Sequence, residues 1–147
     1  MTARRTAFSL LEAIMIVVIL GALAFIAVPR LNFAALYHQQ AETIAKKITT
    51  DLRRTRTMAI TKAATNTTGY TLRVTGSTYQ IIDDSNSVTV DTQTIDSNIS
   101  CGGGTEFQFG PLGNLRTGST PLTVSSGSRT YTITVTSATG IVKCTEG

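Results

Sequence analysis

The sequence predicts an α+β fold, in which one long N-terminal helix, its first half transmembrane and its second half amphipathic, packs on an antiparallel β-sheet head. Three observations predict it. From Ala13 to Val28 no residue is charged or strongly polar. Beyond Leu31, apolar residues return at steps of three and four, the period of one helical face. After Gly69, apolar and polar residues alternate in short runs separated by glycine, the pattern of strands joined by tight turns.

The first element reads FSLLEAIMIVVILGALAFIAVP, from Phe8 to Pro29. With Leu10 and Leu11 the apolar run reaches about 20 residues, or roughly 30 Å of helix, the thickness of a bilayer core. Arg4 and Arg5 precede it, and beyond Arg30 no basic residue follows until Lys46. The positive-inside rule then predicts a single-pass segment with a cytoplasmic N-terminus and everything after Pro29 on the outer side. A secretory signal peptide has a shorter apolar core and no acid within it. A twin-arginine signal fits neither the spacing of Arg4-Arg5 from Phe8 nor the length of the run, and a plain anchor leaves Glu12 unexplained.

Glu12 is the informative residue. A carboxylate at the bilayer centre costs on the order of 2.5–3.5 kcal/mol on insertion scales, so it needs an interface or a partner. Cleavage between Ala7 and Phe8 would create an α-amino cation four residues from Glu12 on the same helix, and within reach of Glu12 on a neighbouring subunit. Two unit charges about 4 Å apart attract by about 4 kcal/mol at an effective dielectric near 20, before desolvation is subtracted. Such a pair favours one axial stagger between packed helices.

The amphipathic half carries Ala41, Ile44, Ala45, Ile48, Leu52, Thr55 and Ala59 on one face, and Gln40, Lys46, Lys47, Arg53, Arg54, Arg56 and Lys62 opposite. It reads as a surface helix lying on a sheet, with a basic face for anionic lipid or nucleic acid as the alternative. The helix fades at Thr65-Asn66-Thr67-Thr68-Gly69. A helix from Leu10 to Ala64 would be roughly 80 Å long, bent at Pro29.

In the head, Tyr70, Leu72 and Val74 turn at Thr75-Gly76-Ser77 into Tyr79 and Ile81, a hairpin. Asp83 to Ser87 is a turn, and Val88 to Ile95 the next strand. Phe107 and Phe109 follow a glycine run at Gly102-Gly103-Gly104, read as a flexible loop because no Gly-Lys-Ser/Thr is present to make a phosphate cradle. After a turn at 110–114, Leu122 and Val124 suggest a short strand. The clearest strand is Arg129 to Thr136, with Tyr131, Ile133 and Val135 on one face and threonines on the other. Ile141 to Cys144 is the last.

At its N-terminus the chain resembles the type IV pilin superfamily, which includes the pseudopilins of type II secretion. The resemblance rests on the basic leader Met1 to Ala7, on Phe8-Ser9-Leu10-Leu11-Glu12, and on an apolar helix with Gly21 and Pro29 where family helices carry glycine and proline. It implies cleavage between Ala7 and Phe8 by a prepilin peptidase, N-methylation of Phe8, and assembly through Phe8, Glu12, Gly21 and Pro29. Ala7 departs from the family's usual glycine. Phe107-Gln108-Phe109, Gly110-Pro111-Leu112-Gly113, the hairpin through Ser126-Gly127 and the Gly140-Ile141-Val142-Lys143 ending resemble the GspH/FimT group of minor pilins and pseudopilins. The implied organisation is a leader over 1–7, a filament-core helix over 8–29, an amphipathic helix over 30–66 and a β head over 67–147. The implied function is a non-enzymatic structural subunit of a type IV pilus or type II secretion filament. Its partners would be other pilin subunits, the peptidase, an inner-membrane assembly platform and the lipid bilayer. Some members of the group bind DNA near this ending, which makes Arg116, Arg129 and Lys143 candidates for DNA contact, in a DNA-uptake subunit or a tip adhesin.

Net charge is +4, and Arg4 and Arg5 supply two of those charges, so polyanion binding has little support from composition. Cys101 and Cys144 are the only cysteines. On the oxidising outer side of the membrane they are expected to form a disulfide, worth roughly 4 kcal/mol in the entropic model, with two free buried thiols as the alternative. Two cysteines cannot build a zinc site. His38 is the single histidine, which leaves any hydrolytic triad resting on it alone. Asp83, Asp84 and Asn86 are candidate calcium ligands, with an ordinary turn as the alternative. No cofactor is expected. Asn66-Thr67-Thr68 and Asn98-Ile99-Ser100 fit glycosylation sequons.

Overall fold

The computed structural model describes residues 9–27 and 33–147. The leader, Phe8, Pro29 and Arg30 lie outside the described residues. The chain divides into two units, with the boundary between Phe33 and Ala34.

The first unit contains α1, Leu10–Ala27. The Ser9 carbonyl accepts from the Glu12 and Ala13 amides at 3.0 and 3.2 Å, the geometry of a helix start. Glu12 sits in the first turn, where the partial positive charge of the helix end favours an acid. The continuous, partly transmembrane helix expected from the sequence is not what forms. The helical region is two helices, α1 of 18 residues and α2, Phe33–Thr61, of 29. Among the described residues, no helix is long and apolar enough to cross a membrane. The physical reason is in the sequence around Pro29. Proline has no N–H to donate and its ring disfavours the α conformation one residue earlier, which works against a single helix carried through this position; α1 is bounded at Ala27. Its 18 residues rise about 27 Å, and the polar Glu12 occupies part of that length.

In the second unit, α2 buries Ala41, Ala45, Ile48, Leu52, Thr55 and Ala59, with Ile44 and Met58 half-buried beside them. Three alanines in this stripe let the helix backbone approach the strands closely. Past Thr61 the chain turns into β1 through Asn66, which is buried and bonds both backbone groups of Gly69: its Nδ2 donates to Gly69 O at 2.8 Å and its Oδ1 accepts from Gly69 N at 2.7 Å.

Nine strands follow, all paired antiparallel: β1 (Tyr70–Thr75), β2 (Thr78–Asp83), β3 (Val88–Thr94), β4 (Ser100–Gly103), β5 (Glu106–Phe109), β6 (Leu115–Thr117), β7 (Leu122–Ser126), β8 (Arg129–Val135) and β9 (Val142–Glu146). They form two sheets rather than the single one expected, in the orders β3-β2-β1-β5-β6 and β4-β7-β8-β9. Gly102 and Gly103 of the glycine run belong to β4, an edge strand of the second sheet, and not to a flexible loop. Gly103 adopts φ 80°, and a Cβ there would lie 2.2 Å from Pro121 O, so only glycine lets β4 close on β7.

Leu72, Ile81, Phe107 and Phe109 from the first sheet meet Leu122, Val124 and Ile133 from the second and Ile48 and Leu52 from α2 in one core. Each fully buried aliphatic or aromatic side chain of this kind contributes about 1.5–3 kcal/mol. The polar margins of α2 fasten it to edge strands of both sheets. Arg54 pairs with Asp91 at 2.7 Å and Lys47 donates to Gln93 at 2.7 Å, both on β3, while Arg53 donates to Val142 O of β9 at 3.3 Å.

Candidate functional site

α1 is apolar on every side, so no face of it is designed for water. Its side chains are exposed from Leu10 through Phe25, which is 83% accessible. Gly21 has nothing within 4 Å of where a Cβ would stand. Glu12 makes no side-chain hydrogen bond or ion pair among the described residues. Ala7, Phe8 and Pro29, the remaining residues expected to act in processing and assembly, lie outside those residues.

The basic face of α2 is largely committed within the head. Lys46 pairs with Glu42 at 2.6 Å, and Lys47, Arg53 and Arg54 hold the edge strands described above. Arg56, half-buried, donates its Nε to Gly113 O at 3.0 Å. A continuous basic strip for lipid or nucleic acid is therefore not presented.

The three candidate DNA contacts do not converge. Arg129, at the start of β8, pairs with Glu146 at the end of β9. Lys143 stands opposite Thr134, five residues along β8 from Arg129, or about 17 Å at the strand rise. Arg116 belongs to the other sheet and donates to the carbonyls of Thr68 and Thr67 at 2.9 and 3.4 Å.

The Asp83-Asp84-Asn86 turn is held by hydrogen-bond donors rather than arranged around an ion. Asp83 accepts from Asn66 Nδ2 at 2.8 Å, from Ser85 N and Oγ at 3.0 and 2.7 Å, and from Tyr70 OH at 3.3 Å. Those donors, Ser85 first, hold its carboxyl below the usual range. Asp84 accepts from Thr71 Oγ1 and Gln108 Nε2 at 2.8 and 3.0 Å. Donors thus occupy both carboxylates, and no cluster of three or more His, Cys, Asp or Glu side chains is found among the described residues. Asn66, of the first sequon, is buried and bonded on both sides of its amide.

The expected disulfide is not present: Cys101 and Cys144 are both free. Cys101 stands opposite Val124 on β4 and Cys144 opposite Ile133 on β9, the two edges of the second sheet. Three strand spacings separate those edges, about 14 Å, against a limit near 7 Å for bridged Cα atoms. Burial pushes the Cys101 thiol above its ordinary pKa.

One surface was not foreseen. At the end of the head where α2 finishes, Gly113 and Gly140 lie against Arg56 and Ile60. A Cβ on Gly113 would come within 2.6 Å of Ile60 Cδ1, and one on Gly140 within 2.0 Å of Gly113 O. Leu112 and Ile141, the neighbours of those glycines, are exposed, Leu112 to 90%, and Ile60 is exposed beside them. Arg56 lies against both glycines, and Arg53 on the preceding turn of α2 donates to Val142 O; neither has a carboxylate within ion-pair distance among the described residues. The signal was present as three acid-free segments, 53–62, 110–118 and 136–143, but only the fold brings them together. No protein-family model matches the chain, and no curated protein or solved structure does so either.

Proposed function

We propose that this chain is a structural subunit of a helical filament of the pilin or pseudopilin kind, assembled through α1. The observation that carries the proposal is a helix apolar on all sides, uncovered in the single chain, with one acid in its first turn. Apolar surface of this extent calls for cover, and packed copies of the same helix supply it. Glu12 then has a role that a plain apolar helix would not need. Cleavage between Ala7 and Phe8 by a prepilin peptidase places an ammonium at the head of each helix, and the Glu12 of an adjoining copy accepts it, fixing the stagger. The head, held by its own core, carries no catalytic task in this reading. An assembly platform that feeds subunits into the filament is the remaining partner.

The test combines mass and assembly. Intact mass of the native protein should show residues 1–7 removed and one methyl added at Phe8. Glu12→Gln and Glu12→Val should each lower polymer yield by at least about tenfold, the equivalent of a weakened charge pair worth about 1.4 kcal/mol. Retention of the first seven residues in assembled material, or full polymer yield in both variants, rules the proposal out.

A further inference from the structure

An asparagine is followed two residues later by serine or threonine at two places, Asn66-Thr67-Thr68 and Asn98-Ile99-Ser100. A glycan joins such an asparagine through Nδ2, which keeps only one hydrogen once the bond to the sugar is made. The two sites differ in what that nitrogen is doing. Asn66 is buried, and its Nδ2 donates to both Gly69 O and Asp83 Oδ1, each at 2.8 Å. Both hydrogens are in use, so a sugar there would break one of the bonds that seat the turn into β1.

Asn98 is the reverse case. It stands in the connection from β3 to β4, which carries the chain from the first sheet to the second. The Ile99 amide donates to Asp96 O at 3.0 Å and closes a tight turn with Ser97 and Asn98 at its corners. Ile99 is buried in the core, while Asn98 and Ser100 on either side of it are exposed. This alternation turns the amide and the hydroxyl away from the core together. The main chain does the anchoring: Asn98 O accepts from Ser126 Oγ at 3.1 Å, and Ser100 O from Ser125 Oγ at 3.4 Å. Among the described residues, the Asn98 amide and the Ser100 hydroxyl make no hydrogen bond of their own. Asp96 borders an open groove with Gln39, Gln40, Thr43 and Ile44 of α2, so there is room beside the turn for a bulky group.

From this contrast we infer that Asn98 is a site of N-linked glycosylation and that Asn66 is not. The donor is an oligosaccharide carried on a polyprenyl diphosphate, and a membrane-bound transferase supplies the base. Asn98 Nδ2 gives a proton to that base and attacks C1 of the first sugar. The C1–Nδ2 bond forms as the C1–O bond to the diphosphate breaks, and the polyprenyl diphosphate leaves with the electron pair. The Ser100 hydroxyl is the group by which the transferase grips the acceptor. The inference rests on the filament reading for one point only, the position of the head on the outer side of the membrane.

The experiment takes the full-length protein from its native membrane and reads its intact mass and its peptide fragments. The chain should carry saccharide mass, and fragmentation should place it on Asn98. Asn98→Gln should abolish the added mass, and so should Ser100→Ala. Ser100→Thr, which keeps the hydroxyl and suits the start of a strand, should retain it. Thr68→Ala, which removes the first sequon, should leave it unchanged. A native chain without saccharide on Asn98, saccharide on Asn66, added mass that survives Asn98→Gln, or its loss in Ser100→Thr would each overturn the inference. The same spectrum keeps the two readings apart. Removal of residues 1–7 without saccharide refutes the glycan and leaves the filament subunit standing. Saccharide on Asn98 in assembled material that retains residues 1–7 refutes the filament reading alone.

Discussion

Individual side chains in the head do their work by joining elements that would otherwise only touch. Tyr79 is the sharpest case. Its ring is buried in the core, and its hydroxyl donates to Asp51 Oδ2 of α2 at 2.6 Å, tying the helix to β2. Burial, and then the adjoining Asp51 carboxylate, push the phenol well above its ordinary pKa of 10.0. The folded state therefore holds the proton more tightly than the unfolded chain does. The stability this supplies is complete below about pH 10 and declines as pH rises beyond it. Tyr79→Phe removes a hydrogen bond to a charged acceptor and should cost about 1.5–3 kcal/mol at neutral pH, read from urea unfolding. The same variant should lose less stability than the parent between neutral pH and the region above pH 10. Tyr70, also raised by burial, accounts for part of the alkaline decline that remains. An unchanged alkaline slope in Tyr79→Phe would show that the helix–sheet link lies elsewhere.

Among the elements, the joints carry as much information as the strands. Arg56 reaches from α2 to Gly113 O, and Gly140 packs on that same carbonyl with φ 64°. A methyl group at Gly140 would meet Gly113 O at 2.0 Å and be strained by the backbone angle as well. Gly140→Ala should therefore destabilise by about 2 kcal/mol or more, whereas Gly76→Ala, with φ 55° but open space around it, should cost less. Comparing their urea midpoints checks this, and equal midpoints would refute it. Elements with a strong internal period were legible in the sequence. The stripe Ala41 to Ala59 lies buried as its spacing indicated, and the hairpins β1–β2 and β7–β8 follow from alternation around Gly76 and Gly127. Elements defined by a partner were not legible. β4, Ser-Cys-Gly-Gly, is half glycine and has no apolar alternation of its own; it is a strand because it pairs with β7. The helix break was underestimated for a different reason. Pro29 reads as a bend when an apolar run precedes it and an amphipathic one follows, whereas α1 is bounded at Ala27 and a separate helix begins at Phe33. The joint of Arg56 and Ile60 with Gly113 and Gly140 has no local signal, because its residues come from three segments far apart in the chain.

For the molecule as a whole, the cysteines decide what kind of stability the head has. Sequence and compartment together favoured a crosslink closing about 44 residues, which would add roughly 4 kcal/mol by restricting the unfolded chain. The sheet order separates the two sulfurs onto opposite edges, so the head has to stand on its core alone. That core is adequate to the task, since it is continuous across α2 and both sheets and contains Tyr79, Phe107 and Phe109 at 1% accessibility or less. A reductant should consequently leave the urea midpoint unchanged, where cleavage of a native bridge would lower it by an amount equivalent to several kcal/mol. Two thiols per chain should react with a chromogenic disulfide once the protein is unfolded without reductant, and Cys101 should react slowly before unfolding because its thiol is half-buried and held protonated. A fall in midpoint on reduction, or fewer than two titratable thiols in the unfolded chain, would mean that β4 and β9 approach each other in solution. The second sheet would then have to close on itself.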